Sequence, residues 1–178
     1  MRFRQVGDGL IATAVWMAIT FNGAAHGENG HQDGISPADG PRVTLTAGQV
    51  GVDKHLDNPW RYGFQYRFAP LTAYRIVPSL GLAWAANDAN YVSAELRRDF
   101  AIGGQWLVTP SFGVGRFNSR FELDLGTPLE FRSGLELSYQ FAGGYRGGIA
   151  VFHLSNGGLS DQNPGTEAVV ASFSIPLE

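Results

Sequence analysis

Leu129-Glu130-Phe131-Arg132-Ser133-Gly134-Leu135-Glu136-Leu137-Ser138-Tyr139-Gln140-Phe141 places apolar side chains at every odd position except Ser133, with polar residues or glycine between them. Successive side chains of a β-strand leave opposite faces of the sheet, so this stretch predicts a strand with one greasy and one polar face. The helical period of roughly 3.6 residues is absent.

The same rhythm recurs on both sides. Tyr62, Phe64, Tyr66 and Phe68 alternate with Arg61, Gly63, Gln65 and Arg67, and Ile76, Leu80, Leu82 and Trp84 with Arg75, Ser79, Gly81 and Ala83. Val92, Ala94, Leu96 and Phe100 form a third set, Trp106, Val108, Phe112 and Val114 a fourth, and Val169, Phe173, Ile175 and Leu177 a fifth. With strands near 43–52 and 145–156, the chain reads as about eight strands, an even number that suits a closed up-and-down barrel. Gly143-Gly144-Tyr145-Arg146-Gly147-Gly148 lacks the Lys and helix of a phosphate loop and reads as a hairpin turn.

The polar face is small as well as polar, mixing Gly, Ser and Ala with Arg, Glu and Gln. That suits the narrow lumen of an eight-stranded barrel, which side chains must fill. Glu95, Arg97, Glu130, Arg132 and Glu136 are candidates for pairing inside it. The other face is large and aromatic, as a lipid-facing surface should be, with Tyr62, Tyr66, Trp84, Trp106 and Tyr139 as candidate interfacial girdles.

Composition agrees. The 178 residues carry 16% charged and 12% aromatic residues, 24 glycines, no cysteine and a net charge of −3. Without cysteine there is no disulfide framework or thiolate metal site. A sequence pI of 5.8 argues against a nucleic-acid partner, and a mean hydropathy of −0.08 against a helical membrane protein. Arg2 and Arg4 precede an apolar run over 10–21 and the small residues Gly23, Ala24 and Ala25, the pattern of an export signal. The organisation expected is therefore a signal peptide at 1–25, a flexible leader at 26–41 and a barrel at 42–178. An all-β, eight-stranded antiparallel transmembrane β-barrel of the bacterial outer membrane is favoured over an N-terminally anchored chain or a soluble lipocalin-like barrel. Monomer and homodimer both remain open.

His26 and His31 fall in the leader and His55 near a turn; none belongs to a clustered ligand set, so no metal is expected. His153 is different. It shares a strand face with Ile149, Val151 and Ser155, so a histidine and a serine are placed toward lipid, where polar groups are costly without a partner or a function. A loop of turn formers follows, and Glu167 opens the last strand on the face of Val169, Phe173 and Ile175. A hairpin register pairing Val151 with Val169 also pairs His153 with Glu167, with Cβ atoms about 5 Å apart. That has the logic of a Ser-His-acid triad: Ser155 as nucleophile, His153 as base and then acid, Glu167 holding the imidazole. Asn156, Asn163 and the amides of Gly157 and Gly158 are candidate oxyanion donors. The spacing alone is equally compatible with a polar strand end whose Ser and Asn serve the turn.

The segment His153-Leu154-Ser155-Asn156-Gly157-Gly158-Leu159, with Asn163 and Glu167, resembles the signature of the outer-membrane lipid A 3-O-deacylase family. The resemblance extends through residues 129–141 and 146–152 to Ile175-Pro176-Leu177, and departs at Pro164-Gly165-Thr166 and at the charged terminus Glu178. It implies an eight-stranded barrel with its site on the lipid-facing surface near the extracellular rim. The catalytic groups would be His153, Ser155 and Glu167, with asparagines including Asn163 at the oxyanion site. The reaction implied is hydrolysis of the 3-hydroxyacyl ester at position 3 of lipid A in lipopolysaccharide, with no cofactor. A structural or adhesion barrel without enzymatic activity is the alternative.

Overall fold

The computed structural model describes residues 40–52, 59–71, 73–86, 88–118 and 125–177. The expected export signal, most of the leader, and His26, His31 and His55 lie outside them. Nine strands follow in order: β1 Arg42–Val50, β2 Trp60–Arg67, β3 Val77–Ala85, β4 Asn90–Arg97, β5 Phe100–Gly103, β6 Trp106–Asn118, β7 Leu129–Gln140, β8 Arg146–Ser155 and β9 Thr166–Pro176. All neighbours are antiparallel, and the ladders β4–β6 and β1–β9 complete a ring. The pair Phe100↔Val108 continues the register of Arg97↔Ser111. β5 is thus the far end of β4, interrupted at Arg98 and Asp99, and the closed barrel has eight strands as expected.

Burial follows the alternation. Arg67, Ser79, Ser93, Glu95, Arg97, Thr109, Ser111, Arg132, Glu136 and Ser138 are buried in the lumen, while Phe64, Leu80, Leu82, Val92, Leu96, Phe112, Leu135, Leu137, Ile149 and Val151 are exposed. A soluble barrel would show the reverse, so the lipid-facing reading of the greasy side follows. Aromatic pairs gather at the end of the barrel that carries the chain termini: Tyr66 with Phe68, Trp106 with Tyr139, Tyr139 with Phe141, and Tyr145 with Phe173. Trp60 and the pair Tyr62–Trp84 sit toward the opposite rim. The two belts mark the two membrane interfaces.

The lumen holds an ion-pair network. Glu136 accepts from Arg67 at 2.5 Å and Arg97 at 3.3 Å, and from Ser172 at 2.8 Å. Glu95 accepts from Arg97 at 3.0 Å, from Ser93 at 2.8 Å and from Arg132. Asp99 pairs with Arg146 and accepts from Thr109 at 2.8 Å. Glu130 departs from the expected pairing: among the described residues its carboxylate has no hydrogen-bond partner, while its main-chain carbonyl accepts from Tyr91. Its cross-strand neighbour on β6 is Gly115, which offers no charge. Lumen glycines make room for the network. A Cβ at Gly113 would lie 2.5 Å from Glu95 Cγ, and one at Gly134 would lie 2.5 Å from the Phe152 ring. That ring is capped by Arg132 at 3.5 Å. Toward the opposite rim the lumen turns apolar, with Ala83, Ala85, Ala89, Leu125, Leu154 and Ala168 in one cluster.

Connections 68–76, 104–105 and 141–145 join strand ends at the terminal end, and 51–59, 86–89, 119–128 and 156–165 join strand ends at the other, where the connections are longer on average. Outer-membrane barrels keep short turns periplasmic and longer loops extracellular, so β8 runs upward and delivers its last residues to the extracellular rim.

Candidate active site

β8 and β9 pair in the expected register, with Val151 opposite Val169 and His153 opposite Glu167. His153 Nδ1 lies 2.9 Å from Glu167 Oε1. Their side chains are 23% and 30% exposed, shielded enough to keep water from dissolving the pair yet open on the lipid-facing side. With Nδ1–H donating to the carboxylate, the lone pair of the neutral imidazole resides on Nε2.

Ser155 ends β8 on the same face, with Phe131 of β7 as its cross-strand neighbour. No hydrogen bond joins Ser155 to His153. Residues two apart on a strand have Cα atoms about 6.6 Å apart, so closure depends on both rotamers leaning together. Such contacts often tighten only around substrate. Phe131 stacks on Phe112 with ring centroids 6.2 Å apart, which sets an aromatic wall beside the serine.

Asn156 follows and turns inward. It is completely buried. Its Nδ2 donates to Leu125 O at 2.8 Å and Gln162 O at 2.7 Å, while Oδ1 accepts from Gly158 N at 2.9 Å. Its own N–H donates to Asn163 Oδ1 at 3.0 Å. Both hydrogens of its carboxamide are therefore taken, as is the Gly158 amide. These two expected oxyanion donors are held inside the loop rather than offered to a substrate, because a buried carboxamide must satisfy itself locally. Among the described residues the Gly157 amide and the Asn163 carboxamide NH₂, both on exposed residues, carry no such bond.

Gly165 escaped the sequence reading as more than a turn former. It is buried with φ of +57°, and a Cβ there would stand 3.0 Å from His153 Cε1 and 3.5 Å from Nε2. A residue without a side chain leaves the basic nitrogen accessible. The sequence signal is a glycine two positions before the acid, at the entry to β9. Leu125 was also missed, because nothing local ties the β6–β7 connection to the loop after β8. A Cβ on its neighbour Gly126 would lie 2.1 Å from Gln162 O, so the two loops touch at backbone distance.

The fold and site thus define a membrane barrel that carries a histidine–carboxylate pair and an adjacent serine on its lipid face. Residues 54–176 match the family model described as lipid A 3-O-deacylase (PagL). No curated protein sequence matches the chain. Among solved structures the chain is similar to the outer membrane enzyme PagL, with TM-score 0.60 and 20% identity over 76% of this chain and 99% of that one. It is also similar to a de novo designed transmembrane β-barrel, with TM-score 0.55 and 10% identity over 80% of this chain and 99% of that one. At these identities the structural likenesses support the fold. The family match spans well over half of the sequence, and the chain belongs to the lipid A 3-O-deacylase (PagL) family. It is accordingly an ester hydrolase of the outer membrane.

Proposed function

We propose that the chain is a serine esterase that removes the 3-hydroxyacyl chain ester-linked at position 3 of lipid A in the outer leaflet. The observation that carries this reading is the 2.9 Å His153–Glu167 pair on the lipid-facing side of the rim, with Ser155 on the same face. A soluble substrate gains nothing from a site that faces lipid; an acyl ester already in the membrane meets it directly.

In this mechanism Ser155 Oγ attacks the ester carbonyl as His153 Nε2 takes its proton. Glu167 holds the imidazole in the required tautomer and stabilises its cationic form. Asn163 and the Gly157 amide stabilise the oxyanion, with Asn156 and Gly158 shaping the loop that presents them. Collapse expels the sugar 3-hydroxyl, which takes the proton back from His153. Water activated by the same imidazole then hydrolyses the acyl-serine and frees the fatty acid. No metal or cofactor is part of this mechanism.

Export precedes this chemistry. Residues 1–25 act as the signal peptide and cleavage follows Ala25, so the mature protein begins at His26; its intact mass reads this directly.

Mass spectrometry of lipid A from cells carrying wild-type protein or Ser155→Ala is the test. Loss of one 3-hydroxyacyl chain with wild type and none with the folded variant is expected. Undiminished deacylation by Ser155→Ala would overturn the triad, and unchanged lipid A with wild type would favour a barrel without enzymatic activity.

A further inference from the structure

Arg116 is out of place on the outer surface. Within the nine strands, the lipid-facing positions carry three side chains of the Lys, Arg, His, Asp and Glu types: His153 and Glu167, which face each other, and Arg116. Arg116 is exposed on β6, on the same face as Phe112 and Val114, two residues short of the rim end at Asn118. Its cross-strand neighbours are Val92 on β4 and Leu129 on β7, both apolar and both exposed. Among the described residues no carboxylate is paired with it, whereas the lumen arginines Arg67, Arg97, Arg132 and Arg146 each have an acidic partner. A guanidinium does not sit bare against hydrocarbon, and a lipid headgroup at this height offers it a matching counter-charge.

The register locates it relative to the serine. Val114, Phe131 and Ser155 form one row across β6, β7 and β8, and Arg116 with Leu129 forms the next row toward the rim. Arg116 is therefore two strand spacings, about 10 Å, from the β8 line that carries Ser155. A single sugar ring and an extended arginine side chain span that gap together. Lipid A is a phosphorylated glucosamine disaccharide, and phosphate accepts the planar arginine fork in bidentate fashion.

Building on the lipid A reading, we propose that Arg116 binds a phosphate of the same lipid A molecule whose ester lies at Ser155, and thereby makes the enzyme selective for phosphorylated lipid A. The headgroup is anchored at β6 while the scissile ester rests on β8.

Purified wild type and Arg116→Gln are compared on phosphorylated lipid A and on the same lipid A with its phosphates removed. The substitution should lower kcat/KM about tenfold on the phosphorylated substrate, equivalent to about 1.4 kcal/mol, mainly through KM, and leave the dephosphorylated substrate unaffected. Arg116→Lys should recover part of the loss. An equal loss on both substrates, or no loss on either, overturns the proposal. So does recovery of the dephosphorylated substrate when inorganic phosphate is added to wild type, which would make free phosphate the ligand. Binding is read separately in the Ser155→Ala background, where Arg116→Gln should weaken capture of phosphorylated lipid A about tenfold. If wild type cleaves neither substrate the esterase reading fails, and this binding measurement still decides the role of Arg116.

Discussion

The side chain of Asn156 reaches across to the main-chain carbonyl of Leu125 and donates to it at 2.8 Å. The two residues lie on different extracellular connections, so one buried carboxamide ties the β6–β7 loop to the loop that follows Ser155. The residue that follows the lipid-facing Ser155 thus anchors its loop from the lumen side.

Asn156→Ala removes both donations and leaves the carbonyls of Leu125 and Gln162 and the amide of Gly158 without their partner. The Leu125 carbonyl is buried, so abandoning it costs about 1–3 kcal/mol, whereas the exposed Gln162 and Gly158 groups can turn to water. The loss falls on the loop and leaves the ladders intact. The barrel is expected to retain its β-sheet circular dichroism, while amide hydrogen exchange across residues 156–163 accelerates and kcat falls at least tenfold. Unchanged exchange in that segment would remove the positioning role.

Glu167→Gln keeps a hydrogen-bond acceptor opposite His153 Nδ1 but loses the charge. An amide can also turn its NH₂ toward the ring and impose the wrong tautomer. A fall in kcat of about 10²–10⁴-fold with little change in KM is expected, since the carboxylate acts on the cationic transition state rather than on binding. A KM effect alone would assign Glu167 to substrate binding instead.

Gly165→Ala tests the space beside the imidazole. The residue has φ of +57°, and its new methyl would press on His153 Cε1 at 3.0 Å. The backbone strain alone costs about 1–3 kcal/mol. Single-turnover assays should show the chemical step slowed, while Gly158→Ala, which also has positive φ but no atom near its added Cβ, perturbs the loop without touching His153. Equal effects on the chemical step would mean that backbone strain, not the contact with His153, is responsible.

Much of this was legible from period-two spacing. The face that is buried, the eight-stranded ring and the pairing of His153 with Glu167 follow from alternation and hairpin register, which are local rules. What escaped was non-local or rotameric. Asn156 reads as a plausible oxyanion donor until Leu125, far away in sequence, is seen to consume its hydrogens. Glu130 reads as one more lumen carboxylate, yet it stands beside Gly115 and has no arginine opposite it on that strand. Whether a side chain finds a partner depends on how strands from distant parts of the chain stagger around the barrel, and spacing within one strand carries no record of that.

The lumen makes a prediction that separates folding from chemistry. Glu136 is buried between Arg67 and Arg97, on the opposite side of the barrel wall from the lipid-facing site. Glu136→Ala leaves two buried guanidinium groups without this shared counter-charge; Arg97 keeps Glu95, but Arg67 keeps only a hydrogen bond to Gln65. Breaking a buried pair by removing one partner costs about 3–5 kcal/mol, far more than the intact pair contributes. Denaturant unfolding in lipid vesicles should show a loss of that order. Glu136→Gln, which retains an acceptor oxygen, should lose less. In both variants kcat per folded molecule should stay near wild type, because the network supports the wall and touches no residue of the site. A selective loss of kcat with unchanged stability would instead mean that the lumen charges communicate with His153 through β8.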